Sequence, residues 1–219
     1  MLKWTEAAIK IGADNLFWDE PHFYIYPEDE GAKAWACRCP SCEILFDRKY
    51  HEKMPALMNK ELREFKEDSL VEFLKFLCDY ARKKGVENSM CYLPFENSST
   101  FSDWSKVAKI KTLDIVGTDP YWRNGQTKEE ITEKVGGYAK KIVKLAKDYK
   151  KEGQIWILNF RIPKGEEPNI ELAVDVAYKE GIRNIAAWSY YGTAQMSELA
   201  SEDPENTWNT LGKAYKRLR

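Results

Sequence analysis

Five short apolar runs punctuate the chain, and each ends in polar or aromatic residues. The first is Leu16-Phe17-Trp18, which passes directly into Asp19-Glu20-Pro21-His22-Phe23; the others occupy 89–97, 113–122, 154–161 and 182–191. Nearly continuous apolar runs of this length predict strands buried on both faces of a sheet. Segments with helical spacing lie between them. An amphipathic stretch at 4–11 stops before Gly12, and 54–84 places Leu62, Phe65, Leu70, Phe73, Leu74, Leu77 and Tyr80 on one face before Gly85. A shorter helix is predicted over 102–110 with Ser102 as N-cap, and a long one from its Thr127 cap through Lys150, closed by Gly153. Two more are predicted, over 168–180 before Gly181 and from about Thr207 to the end.

Strands alternating with helices imply an α/β fold with a parallel, helix-covered sheet of (β/α) barrel type, TIM-barrel-like. The expectation is a single domain over 1–219, with an inserted cysteine-containing loop at about 24–54. A connection that long inside a compact domain is more often functional than idle. Five parallel strands do not close a barrel, and an open edge exposes backbone groups. A homo-oligomer or a partner chain is therefore expected to cover the edge.

Charge changes the picture mainly by exclusion. The 34 basic and 35 acidic residues nearly cancel and form no long block, which argues against nucleic acid and anionic membrane partners. No run approaches the roughly 20 apolar residues that span a bilayer, and the start lacks a signal-peptide layout, so a cytoplasmic location is expected. A charged content of 32%, rich in Lys and Glu, leans towards a thermophilic source. Three of the five cysteines, Cys37, Cys39 and Cys42, fall within six residues, a spacing closer to a metal site than to a disulfide framework.

Asp19-Glu20-Pro21 closing a strand, then Cys37-x-Cys39-x-x-Cys42, then Thr118-Asp119-Pro120-Tyr121-Trp122 and Trp188-Ser189-Tyr190-Tyr191, resembles the (β/α)8 glycoside hydrolases of clan A. The nearest in pattern are the family 42 β-galactosidases. The resemblance implies that this chain supplies strands four to eight of a barrel and lacks the first three. It implies Glu20 as the acid/base ending strand four, and zinc held by the cysteine loop together with a cysteine from earlier in the chain. The sequence departs from that family at two places. Asp19 stands where the family has Asn, and strand seven ends Leu158-Asn159-Phe160-Arg161, without the family's nucleophilic Glu. Glu166 and Glu167 lie beyond it, where a helix N-terminus favours acidic residues.

Catalysis in such barrels gathers at the C-terminal ends of the strands, so Glu20 is the first candidate, a carboxyl between Trp18 and His22. Its alternative role is bracing the following loop. Glycoside hydrolysis needs a second carboxyl about 5 to 10 Å away, and Asp119 and Glu96 are the candidates. Trp18, Tyr121, Trp122, Trp188, Tyr190 and Tyr191 could stack on sugar rings or fill the core. Asp19 and His22 adjoin Glu20 as possible substrate contacts; Asn159 and Arg161 could bind hydroxyls or a carboxylate, or Arg161 could pair with Asp119 or Glu96. Zinc bound by Cys37, Cys39 and Cys42 would be structural and needs a fourth ligand, His51, His22 or a partner's cysteine; otherwise the three pack the loop. Cys78 and Cys91 read as buried hydrophobes. No organic cofactor is implied. The function expected is carbohydrate-active and glycoside-hydrolase-like. The alternatives are a non-catalytic barrel fragment, a sugar-binding or assembly module, or a barrel lyase or isomerase.

Overall fold

The computed structural model describes residues 1–23, 37–94, 101–196 and 198–218. Glu96 and the first part of the cysteine loop, 24–36, lie outside the described residues. Five strands, β1 (Asn15–Asp19), β2 (Glu87–Tyr92), β3 (Ile115–Thr118), β4 (Glu152–Leu158) and β5 (Asn184–Trp188), form one sheet in the order β1-β2-β3-β4-β5. The pairs β2–β3, β3–β4 and β4–β5 are parallel, with Ser89 opposite Ile115, Ile115 opposite Glu152 and Gln154 opposite Asn184. Spatial order equals chain order, so every crossover steps the same way. A doubly wound sheet reverses direction at a switch point, and this one does not. The fold is an incomplete parallel α/β barrel.

The helices among the described residues are α1 (Leu2–Lys10), α2 (Pro40–Tyr50), α3 (Lys60–Lys83), α4 (Ser105–Ala108), α5 (Lys128–Tyr149), α6 (Pro168–Lys179) and α7 (Pro204–Arg217). Two compact units share them, the first comprising 1–88 and 95–113, the second 89–94 and 114–219. In the first, Phe46, Met54, Leu62 and Phe65 form a buried cluster, with Cys42, Tyr50 and Met58 against it. In the second, Ile131, Val135, Ala139 and Ile142 of α5, Ile155 and Ile157 of β4, and Ile170, Ala173, Val174 and Ala177 of α6 are buried.

Several boundaries differ from those the sequence predicts. Helix α2 falls where an irregular loop was expected; it buries only Phe46, so it carries no periodic apolar stripe to announce it. Its start is marked instead by Pro40, whose fixed φ suits the first helical turn. Helix α3 begins at Lys60, not at 54, because Asn59 caps it by accepting from the Leu62 N–H. Helix α4 is a single turn beginning after Asp103, whose carboxylate accepts from the Ser105 N–H. Thr127 caps α5 through a full capping box with Glu130, but α5 ends at a left-handed Lys150. Gly153 lies inside β4, where a Cβ would meet Ile142 Cγ2 at 3.0 Å, so it serves strand–helix packing instead of ending a helix. Helix α7 starts three residues early, capped by Asp203.

Candidate functional site

In the first unit β1 alternates, burying Leu16 and Trp18 while Phe17 and Asp19 stay exposed. The Trp18 indole N–H donates to Asn88 Oδ1 at 3.1 Å, and the fully buried Asn88 amide donates onward to the carbonyls of Cys78 (3.2 Å) and Thr112 (3.0 Å). Trp18 therefore sits in a polar knot of the core. Asp19 keeps contact with solvent, yet burial by the surrounding protein raises its carboxyl above the usual range. Glu20 follows the strand end, half-buried, with φ 41°, a left-handed conformation uncommon outside glycine. His22 Nδ1 lies 2.6 Å from the Glu20 carbonyl oxygen. That contact requires the hydrogen on Nδ1, which leaves Nε2 of the neutral ring as an acceptor.

The cysteines gather at the N-terminus of α2, where the backbone N–H of Cys39 donates to Cys37 Sγ (3.4 Å). The three sulfurs all lie within 4.8 Å of one another. Thiolates on one tetrahedral zinc, each about 2.3 Å from the metal, stand about 3.8 Å apart, so the cluster fits with a small contraction. The Cys39 thiol is lowered to about 7, chiefly by the Cys42 backbone N–H and then by the Cys37 side chain. Burial, followed by sharing with Cys39 and Cys37, pushes Cys42 up to about 12. Lys66, a buried lysine on α3, lies 5.0 Å over the Phe23 ring; burial lowers it to about 8, against the pull of the Cys37 and Cys42 sulfurs. It places a cation beside the thiols.

In the second unit the residues after β3, β4 and β5 meet. Asp119 is 7% exposed, and its carbonyl accepts from the Tyr121 N–H. Tyr121, Phe160 and Trp188 form an edge-to-face row, with centroids 5.4 and 4.8 Å apart. Trp122 is buried, and its indole N–H has no hydrogen-bond partner among the described residues. Asn159 is fully buried; its amide donates to the Ser189 carbonyl and its backbone N–H to the Trp188 carbonyl, both at 2.7 Å. The Arg161 Nε donates to the Glu198 carbonyl (2.7 Å) and its N–H to the Leu199 carbonyl (2.9 Å), so Arg161 braces the loop after β5. Tyr190 packs its exposed ring against Trp208 at 5.0 Å. Glu166 accepts from the Gly125 N–H and Glu167 caps the Gly165 N–H, both around the start of α6.

Lys134 was not singled out by the sequence. Its Nζ donates to the Tyr121 carbonyl, and its pKa is lowered by burial and then by Arg123, with the Asp119 charge opposing. The signal was available, since 131, 134, 135, 138 and 142 follow the buried stripe of α5 and only 134 is charged. Lys66 likewise sits next to Phe65 and four residues after Leu62.

No family model and no curated protein matches this chain. Solved structures do. Bee venom hyaluronidase in complex with a hyaluronic acid tetramer matches with a TM-score of 0.52 and 11% identity, over 94% of this chain and 84% of that one. A monoclinic crystal structure of bee venom hyaluronidase matches at 0.50 and 12%, over 81% and 60%. The likeness is one of fold. A candidate α-L-fucosidase from Bacteroides thetaiotaomicron, at TM-score 0.46 and 9% identity over 68% of this chain, is too distant to add to it. The chain spans half the length of that fucosidase and 60% of the monoclinic hyaluronidase chain.

Proposed function

We propose that this chain is part of a carbohydrate-active, glycoside-hydrolase-like barrel protein, nearest in its motifs to the family 42 β-galactosidases, with Glu20 as general acid/base. The observation that carries the reading is the strand ends. Glu20 follows β1, Asp119 follows β3, Asn159 follows β4, and Trp188 closes β5. Barrels of this kind work at the C-terminal ends of their strands. Glu20 would protonate the leaving oxygen, with Asp119 or Glu96 as the second carboxyl, and their separation would set retention or inversion. The Tyr121, Phe160 and Trp188 rings and the Asn159 amide would frame the sugar. His22, with Nδ1 committed to the Glu20 carbonyl, would offer Nε2 to a hydroxyl, and Asp19 would stand beside it.

Zinc on Cys37, Cys39 and Cys42 would pin the start of α2, with one more ligand completing the tetrahedron and no position left for substrate. The protein would work in a reducing cytoplasm, as a homo-oligomer or with a partner chain beside the sheet edge. One observation favours a second reading, a sugar-binding module without turnover. β4 runs into Leu158-Asn159 with no carboxylate at its end.

Replacing Glu20 separates the two. In Glu20→Gln, turnover of aryl glycosides should fall by at least a thousandfold while sugar binding, read as a rise in melting temperature, survives. Equal activity in the variant removes Glu20 from the chemistry.

A further inference from the structure

Away from the strand ends, the first unit carries a cavity of about 540 Å³ between α3 and the turn that follows α4. Val71, Lys75 and Asp79 line it from α3, and Lys106, Lys109, Ile110, Lys111 and Thr112 line it from α4 and the turn. Its volume falls in the range of about 300 to 1,000 Å³ usual for small-molecule sites. We propose that this cavity binds a small organic phosphate monoester, with the phosphate seated at Lys109 and Lys111 and the organic part against Val71, Ile110 and the lysine stems. The site is independent of the carbohydrate reading and shares no residue with it.

Charge carries the first part of the inference. The described lining sets four ammonium groups against one carboxylate, and that carboxylate is already committed. Asp79 accepts from Lys75 Nζ at 2.5 Å and from the Thr112 hydroxyl at 2.7 Å, and these two bonds hold its carboxyl below the usual range. An entering dianion therefore meets a neutralised aspartate. The other carboxylates around the lysines lie outside the lining. Glu67 and Asp68 accept from Lys106 at 2.9 and 3.2 Å, and Asp103, bonded to the Ser105 N–H and hydroxyl, also feels the Lys109 charge. Ammonium groups gathered around one cavity repel one another, and a bound anion relieves that repulsion. Lysine, a compact point charge, is a common partner for phosphate. A concave pocket within one unit admits a small anion, whereas a long polyanion needs an extended basic face.

Shape carries the second part. The turn is tightly wound: the Lys109 N–H donates to the Ser105 carbonyl at 3.0 Å, the Ile110 N–H to that of Val107 at 2.9 Å, and the Leu113 N–H to that of Ile110 at 3.2 Å. Val107, Ala108, Ile110 and Leu113 are buried and pin the turn, while Lys109 and Lys111 stay exposed on either side of Ile110. The bond from Thr112 to Asp79 ties the turn to α3. Both walls are thus fixed before a ligand arrives, and binding costs chiefly lysine rotamer freedom. The methylene stems of the lysines add apolar wall to Val71 and Ile110. A bare phosphate would leave most of that wall and volume unused, which favours an ester.

Isothermal titration calorimetry with phenyl phosphate, inorganic phosphate and benzyl alcohol, at low and at raised salt, tests the assignment. Phenyl phosphate should bind wild type with a Kd of about 1 mM or tighter, at least about fivefold more tightly than inorganic phosphate, and should weaken as salt rises; benzyl alcohol should not bind. The double variant Lys109→Gln, Lys111→Gln should weaken phenyl phosphate by at least about tenfold, and Lys109→Arg, Lys111→Arg should retain it. Lys147→Gln, Lys179→Gln removes the same charge from exposed positions on α5 and α6 and should leave binding unchanged. Melting followed by circular dichroism separates lost binding from lost folding in each variant. Failure of phenyl phosphate to bind wild type, inorganic phosphate binding as tightly as the ester, undiminished binding after Lys109→Gln, Lys111→Gln, or an equal loss after Lys147→Gln, Lys179→Gln overturns the proposal.

Discussion

Asn88 offers the sharpest test of how the first unit holds the end of β1. It is fully buried, accepts the Trp18 indole N–H at 3.1 Å and donates to the carbonyls of Cys78 and Thr112. Asn88→Ala removes all three partners at once. The Trp18 N–H is left buried without an acceptor, at about 1–3 kcal/mol, and the two carbonyls lose a donor each at about 0.5–1.5 kcal/mol. Partial relaxation trims the sum, so a loss of about 3 kcal/mol is expected. For a chain of this size that lowers the melting temperature by roughly 6–12 °C. Urea denaturation followed by tryptophan fluorescence and by circular dichroism measures it, with agreement between the two signals checking two-state behaviour. Trp18→Phe should cost less alone and couple to Asn88→Ala by at least about 0.5 kcal/mol in a double-mutant cycle. An Asn88→Ala loss below about 0.5 kcal/mol, or strict additivity, refutes the knot.

Gly192→Ala should lose about 2 to 4 kcal/mol, since φ is +57° and the new Cβ would stand 3.0 Å from Pro204 Cα, which backbone cannot easily yield; an unchanged denaturation midpoint contradicts this. The Tyr215 hydroxyl is buried without a hydrogen-bond partner among the described residues, and burial pushes its pKa up. Tyr215→Phe should therefore match or exceed wild type by up to about 1 kcal/mol at neutral pH. Because the folded pKa is the higher one, the tyrosine's contribution is complete below the unfolded value of about 10 and is lost as pH rises beyond it. Wild type should lose more stability than the phenylalanine variant above pH 10, and parallel losses would sink this. Zinc should bind at one ion per chain and raise the melting temperature, and Cys39→Ser should remove both effects; metal-independent melting in wild type leaves the cysteines as packing residues.

The sequence was most legible where burial is continuous. β2 and β3 are buried on nearly every residue and β4 at Gln154, Ile155, Ile157 and Leu158, and their runs stand out without any periodicity. Thr127 with Glu130 announced α5 because a capping box is a local device readable at three-residue spacing. Helix α2 and the cap at Asn59 were lost for the opposite reason, one buried side chain in the helix and a cap without a following apolar stripe. At the candidate site, strand-end position could be read but not side-chain direction. Trp18 and Trp122 turn into the core, whereas Trp188 and Tyr190 remain exposed, and nothing in the spelling of the four distinguishes them. Lys66 and Lys134 were legible in principle as charges on buried stripes. Their neighbours, the thiols and Asp119, come from distant sequence.

The carbohydrate reading is tested most directly by initial rates of wild-type protein on a panel of p-nitrophenyl glycosides, with Glu20→Gln measured beside it at the same concentration. The account predicts that at least one glycoside is hydrolysed by wild type, with the rate collapsing in the variant. Hydrolysis that persists undiminished in Glu20→Gln, or no hydrolysis of any glycoside together with no sugar-induced rise in melting temperature, contradicts it.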